Sequence, residues 1–138
     1  KVMTKRSNGE YSGFFLNRKH DGSSVFEFTI NGNIDDAVNL SSNIQKSLDD
    51  ERLSLLVSMA IEDMIVHIID INDDIDLIDV IIRDNEDYIL ISIKYSGICI
   101  NIMEDESMES NISILKSVSQ KIDYSQILGL NNIVITIN

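Results

Sequence analysis

The chain has 138 residues, which is the size of one domain. Its formal net charge of -12 and its scattered Lys and Arg residues argue against nucleic-acid binding, because phosphate contacts need clustered basic side chains. The single Cys99 excludes an internal disulfide, and no apolar run reaches the roughly 18 residues that a membrane-spanning helix needs.

The first half of the chain predicts an arm, one strand and two helices. Residues 1–23 are polar and contain several glycines, which is typical of an extended N-terminal arm, and three consecutive apolar residues at 14–16 are expected to hold it to the body. Residues 25–30 predict a strand. Asn33 precedes a helix that ends near Leu48, with acidic residues in its first turn where they favour the helix dipole.

A second helix is expected over about residues 51–69, after an Asp cap at Asp49 or Asp50. Its apolar positions recur at spacings of three and four, which predicts one broad buried stripe. The predicted stripe consists of Leu55, Leu56, Met59, Ala60, Met64 and Ile68.

The second half of the chain predicts four strands and one helix. Strands are expected at 75–83 and 88–95 around an acidic turn, and at 123–127 and 133–137 around Gly129, with a helix at 111–120. The resulting order predicts an α+β fold, a two-layer α/β sandwich over residues 24–138. Its sheet is expected to be mixed but mostly antiparallel, with three helices on one face.

Three local motifs carry a family resemblance. Residues 124–132 read YSQILGLNN, residues 60–69 read AIEDMIVHII, and residues 111–114 read NISI. Together with the element order they resemble the Bergerat-type ATP-binding fold of the GHKL proteins, a group that comprises histidine kinases, gyrase, Hsp90 and MutL. The motifs are most similar to those of the anti-sigma-factor serine kinase branch.

The resemblance implies an ATP site in which several positions depart from the family pattern. Asp63, preceded by Glu62, occupies the position of the catalytic acid, and His67 occupies the position of the Asn that binds Mg²⁺. Because Mg²⁺ prefers oxygen ligands in octahedral geometry, an imidazole is a poor replacement. Without the resemblance, these side chains would be a patch on a helix surface, where a lone His is more often structural.

The base and phosphate positions of the implied site are changed as well. The family's Asp-x-Gly, whose carboxylate accepts from the adenine amino group, reads Tyr95-Ser96-Gly97 here. The motif that opens the third helix keeps Asn111 but has Ser113 where the family has a glycine that lets phosphate approach the helix amides. The connecting lid, residues 98–109, is acidic and lacks Lys and Arg. Three lost contacts at about 1.4 kcal/mol each weaken binding roughly a thousandfold.

These departures predict a degenerate ATPase-like domain that acts as a regulatory protein-interaction module with weak or no ATP binding. No cofactor is expected, or ATP and Mg²⁺ if the pocket survives. The expected partner is a second copy of the chain or a small anti-sigma-antagonist-type domain. One alternative is a functional ATP-dependent protein kinase with Asp63 as base, and another is a sensor domain that binds a different small ligand.

The resemblance and the composition also bear on location. The acidic surface and the lone Cys99 favour a cytoplasmic domain. Some relatives carry this domain behind a multi-helix membrane region, and a chain that begins at Lys1 fits a fragment of such a parent.

Overall fold

The helices and strands follow each other in the order β-β-α-α-β-β-α-β-β. The computed structural model describes residues 14–20, 23–72, 75–85, 87–98, 101–102 and 110–138. The elements are β1 Phe14–His20, β2 Ser23–Asn31, α1 Ile34–Ser47, α2 Glu51–Ile71, β3 Leu77–Asp84, β4 Ile89–Ser96, α3 Ser110–Val118, β5 Ser119–Ile127 and β6 Leu130–Ile137. Residues 14–20 of the predicted arm thus form a strand, which pairs with β2.

The strands form one six-stranded sheet in the order β1-β2-β3-β4-β6-β5. Every pair of neighbouring strands in it is antiparallel. The predicted α+β sandwich is confirmed, and the pairings between described strands are all antiparallel rather than mixed. β3 and β4 are joined by the predicted acidic turn, in which the Asn85 side chain accepts hydrogen bonds from the backbone N–H groups of Asp87 and Tyr88 at 2.9 Å.

One face of the sheet is buried beneath the helices, and the other faces outward. Along β3, Ile78, Val80 and Ile82 are buried, whereas Leu77 and Asp79, which alternate with them, are exposed. β6 alternates in the same way. Because side chains alternate between the two faces of a strand, this pattern assigns the helix layer to one face, as predicted.

Both long helices begin at the predicted capping residues. The Asn33 side chain accepts a hydrogen bond from the backbone N–H of Asp36 at 2.8 Å. Asp50 accepts from the backbone N–H groups of Arg52 and Leu53 at 3.0 Å. Such caps satisfy amide groups that have no partner within the helix.

Among the described residues, no helix is long and apolar enough to cross a membrane.

The predicted buried stripe of α2 is partly wrong. Leu55 and Met59 are 47% and 42% exposed, whereas Ala60, Met64 and Ile68 are buried as predicted. The buried face consists of Ser54, Val57, Ser58, Ala60, Ile61, Met64, Ile65 and Ile68. Apolar residues occur around most of this helix, so their spacing did not define a single stripe. The packing of α1, α3 and the sheet around α2 determines which of them are buried.

The hairpin of β5 and β6 has an unusual turn residue. Ile127 pairs with Leu130, and the two residues between them, Leu128 and Gly129, have φ angles of 54° and 79°. Two consecutive positive φ angles define a type I′ turn, which favours Asn, Asp or Gly at both positions. The predicted turn at Gly129 is confirmed. Leu128 adopts a left-handed conformation that costs a leucine about 1 kcal/mol.

Three carboxylates meet at the end of β3, where the chain between α1 and α2 passes. Burial raises the pKa of Asp84, and the negative charges of Asp49 and Asp50 raise it further, while a hydrogen bond from the backbone of Asp49 lowers it. A carboxyl group whose pKa is raised by folding stabilises the protein at low pH. This contribution is lost as the pH rises through the raised pKa.

Substituting Asp84→Asn is therefore expected to stabilise the protein at pH 7. The expected gain is a few tenths to about 1 kcal/mol, the range of partly exposed charge interactions. It should vanish below about pH 3, where aspartates are largely protonated in both states. Urea denaturation at both pH values measures this difference. The control is Asp76→Asn near the opposite end of β3, and an equal gain from both variants at pH 7 would contradict the prediction.

Candidate functional site

The site implied by the resemblance lies where α2 packs against α3. α3 ends directly before β5, which begins at the end of the sheet where Asp84 lies near Asp49 and the start of α2. The end of α2 lies at the opposite end of the sheet, where Asn72 bonds to Ile98, so α3 runs antiparallel to α2. The Nδ2 group of Asn111 donates a hydrogen bond to Oδ2 of Asp63 at 3.0 Å. Both side chains are half-buried. The structure thus brings together one predicted catalytic residue and one predicted cofactor-binding residue.

The other predicted polar residues surround this pair less closely. Glu62 and His67 are half-buried on α2, with His67 one turn after Asp63 on the same side of the helix. Ser113 is exposed on α3. The described part of the chain contains no group of three or more His, Cys, Asp or Glu side chains with the geometry of a metal site. The acidic lid residues at 103–109 lie outside the described residues.

Tyr95 lies at the end of β4, and its side chain is directed into the protein. It is 1% exposed and is among the largest fully buried side chains. Its neighbours across the sheet are Ile78 on β3 and Asn131 on β6, both buried. At the position where the resemblance expects an adenine-binding carboxylate, the structure thus has an aromatic ring between the sheet and the helices.

The backbone after β4 is held close to the end of α2 by Asn72. The Asn72 side chain accepts a hydrogen bond from the N–H of Ile98 at 2.8 Å and donates one to the carbonyl of Ile68 at 2.8 Å. Gly97 has a φ of +138°, and a Cβ atom on it would lie 2.2 Å from Oδ1 of Asn72. The predicted cofactor-binding glycine therefore serves here to admit the Asn72 side chain.

A second buried amide holds the same segment from β6. The Nδ2 group of Asn131 donates to the carbonyls of Tyr95 at 3.4 Å and Ile98 at 3.3 Å, while its Oδ1 accepts from the Tyr124 hydroxyl. Asn131 and Tyr124 belong to the motif at 124–132, but the sequence did not indicate what they contact. Neither Asn131 nor Asn72 was among the predicted site residues.

Several described residues differ from what the resemblance implies for an Mg-ATP site. Tyr95, at the position where the resemblance implies a base-binding carboxylate, is buried, and two buried amides hold the chain after β4 against α2 and β6. Oδ2 of Asp63 accepts a hydrogen bond from the side-chain amide of Asn111. His67 supplies nitrogen where Mg²⁺ requires oxygen. These contacts connect α2, α3 and the sheet to one another.

Comparisons with known proteins identify no family for this chain. No protein-family model matches the chain, and no curated protein matches it. The function of the site is therefore proposed from the contacts of its residues together with the resemblance of its motifs.

Proposed function

We propose that this chain is a regulatory protein-interaction domain of the GHKL ATPase type that binds ATP weakly or not at all. The burial of Tyr95 carries the proposal, because a ring that is 1% exposed occupies the position of the family's adenine-binding carboxylate. Without that carboxylate the site lacks the acceptor for the adenine amino group. The proposed setting is cytoplasmic, and the proposed partner is a protein or a second copy of the chain.

The contact between Asp63 and Asn111 supports the same conclusion. In an ATPase of this type, the implied role of the acidic side chain is to activate water or an acceptor hydroxyl. Here Oδ2 of Asp63 accepts a hydrogen bond from Asn111 at 3.0 Å, which joins the two helices. Such a bond stabilises the packing of α3 on α2, which is what a non-catalytic scaffold needs.

The outer surface of α2 and α3 offers apolar side chains for a protein contact. Leu55 and Met59 on α2, and Ile114 and Val118 on α3, are each 42% to 49% exposed. The bond between Asp63 and Asn111 aligns the antiparallel helices. In antiparallel helices in contact at Asp63 and Asn111, Met59, one turn before Asp63, is expected to lie beside the turn of α3 that contains Ile114. Clustered exposed apolar side chains are typical of protein interaction surfaces.

Calorimetric titration of the chain with ATP and ADP, with and without Mg²⁺, tests the proposal. The expected result is no saturable heat up to about 1 mM nucleotide, since a millimolar Kd corresponds to only about −4 kcal/mol. A Kd near the micromolar range would overturn the proposal. The comparison variant combines Tyr95→Asp, His67→Asn and Ser113→Gly, and circular dichroism establishes whether it folds before it is titrated.

The kinase alternative rests on the same contact, because half-buried Asp63 and Asn111 are the implied catalytic and cofactor-binding residues and lie together at the start of α3. A kinase requires phosphate transfer that depends on Asp63. Incubation with radiolabelled ATP and a serine-containing acceptor protein, using the unmodified chain and Asp63→Asn, distinguishes the two functions. Transfer by the unmodified chain that is lost in Asp63→Asn would establish the kinase.

A further inference from the structure

The outer face of the sheet, on the side away from the helices, contains a groove at the β5–β6 hairpin. It has a volume of about 460 Å³ and is lined by Lys94, Ser125, Ile127, Leu128, Leu130 and Asn132. Sites for small ligands commonly measure about 300–1,000 Å³. The groove is separate from the site between α2 and α3, because neighbouring strand residues such as Tyr95 and Asn131 are directed to the opposite face.

A row of polar side chains crosses three strands at one end of the groove. Asn132 on β6 lies opposite Lys94 on β4 and opposite Ser125 on β5. The Ser92 hydroxyl donates to Oδ1 of Asn132 at 3.0 Å, which leaves the Nδ2 group of Asn132 as a donor. The side chains of Lys94 and Ser125 form no hydrogen bond or ion pair with any residue that the structure describes. An ammonium, an amide and a hydroxyl group thus present donors along one row.

Lys94 has one acidic neighbour in the sheet. It lies opposite Asp79 of β3, whose Oδ1 accepts a hydrogen bond from the Thr29 hydroxyl at 2.8 Å. Asp79 does not approach Lys94 closely enough to form an ion pair, so the ammonium group remains available to an anion. A ligand carboxylate has to compete with the charge of Asp79, and its apolar part supplies the additional binding energy.

Apolar side chains line the other end of the groove. Leu130 and Ile127 lie opposite each other and are 45% and 68% exposed, and Leu128 at the turn is fully exposed. Leu128 also has a φ of 54°, in the region that favours Asn and Gly. A fully exposed leucine buries no apolar surface within the chain, so burial does not offset the cost of this conformation. Such residues are typical of functional contacts.

We propose that this groove binds an aliphatic carboxylate. The carboxylate is placed at Lys94, Asn132 and Ser125, and the tail lies over Ile127, Leu128 and Leu130. Asn132 in the polar row and Leu130 at the apolar end are two residues apart along β6, which corresponds to ~6.8 Å. A tail of roughly six carbons covers this distance. This inference goes beyond the proposed function and does not depend on it, because it concerns the other face of the sheet.

Titration of the ¹³C-methyl-labelled chain with octanoate, followed by NMR, tests the proposal. The methyl signals of Ile127, Leu128 and Leu130 are expected to shift and to saturate, while those of Ile114 and Val118 on α3 stay in place. Octylamine has the same tail with the opposite charge, and it is expected to bind about tenfold more weakly, since a charge-assisted contact is lost. Acetate, which has no tail, is expected to produce no saturable shift.

Three variants separate the charge from the apolar contact. Lys94→Met keeps an unbranched side chain but removes the charge, and we expect about tenfold weaker octanoate binding. Lys46→Met on α1 is the matched control and is expected to bind like the unmodified chain. Leu128→Asn is expected to raise the melting temperature, because Asn tolerates the left-handed turn, and to weaken binding about threefold.

The proposal is overturned if the shifts do not saturate, if octylamine binds as well as octanoate, or if Lys94→Met binds like Lys46→Met. Equal shifts at Ile114 and Val118 would also overturn it, because they would indicate general adsorption to apolar surfaces. Leu128→Asn removes backbone strain, so this variant is expected to fold. If Lys94→Met proves unstable, octanoate binding by Leu128→Asn still tests the proposal, and binding as tight as that of the unmodified chain would overturn it.

Discussion

Replacing Tyr95 with alanine is expected to lower the free energy of unfolding by about 3–5 kcal/mol, the usual cost of removing a buried aromatic ring. Tyr95 is 1% exposed between the sheet and the helices, so truncation removes its contacts and leaves a cavity. Tyr88→Ala is the control, because Tyr88 is only half-buried at the β3–β4 turn, and its cost should be near 1 kcal/mol. Urea denaturation followed by circular dichroism measures both values.

The same variant tests the proposal that the chain binds ATP weakly or not at all. Tyr95→Ala opens space but restores no carboxylate, so it is expected to remain unable to bind ATP in the titration used for the unmodified chain. If Tyr95→Ala lowers the free energy of unfolding no more than Tyr88→Ala does, the Tyr95 ring does not fill the core. The main support for the proposed function would then be lost. If Tyr95→Ala binds ATP, the pocket has survived and the ring alone blocked it.

Replacing Gly97 with alanine is expected to lower the free energy of unfolding by at least about 2 kcal/mol, because two costs combine. The φ of +138° is one that L-residues rarely adopt, and the added Cβ would lie 2.2 Å from Oδ1 of Asn72. Relief of that contact requires Asn72 to move, which breaks its bonds to Ile98 and Ile68. Thermal and urea denaturation measure the loss.

Gly129→Ala is the matched control for Gly97→Ala. Gly129 also has a positive φ, of +79°, but a Cβ there would meet no atom within 4 Å. Its expected cost is therefore near 1 kcal/mol, from the backbone alone. Adding Asn72→Ala to Gly97→Ala should produce a loss smaller than the sum of the two single losses, because each change disrupts the same contact. Equal costs for Gly97→Ala and Gly129→Ala would show that the Asn72 contact does not constrain Gly97.

Local features of the fold were predictable because their causes are local. The capping side chains Asn33 and Asp50 contact amides two or three residues away, so their roles follow from chain proximity. The acidic turn after β3 depends on Asn85 and two nearby N–H groups for the same reason. By contrast, the exposure of Leu55 and Met59 depends on how α2 is surrounded, and periodicity within one helix contains no information about that.

The candidate site was only partly predictable. The motifs placed Asp63 on α2 and Asn111 at the start of α3, and these residues are in contact although 48 positions separate them. The sequence did not indicate Asn72 or Asn131, since an Asn beyond a helix end or at the start of a strand is ordinary. Their importance comes from the backbone of Tyr95 and Ile98, to which they bond only after β4, α2 and β6 have assembled.

By itself, the sequence determined the α+β fold class, the helix starts and the hairpin turns, because hydrophobic alternation, capping and turn chemistry act over a few residues. It also indicated which residues differ from the motifs of the family that it resembles. Only the tertiary structure decided that Tyr95 is buried, that Asn72 and Asn131 hold the chain after β4, and that Lys94, Asn132 and Ser125 lie in one row. These features depend on long-range packing and on strand register, which bring together residues that are distant along the chain.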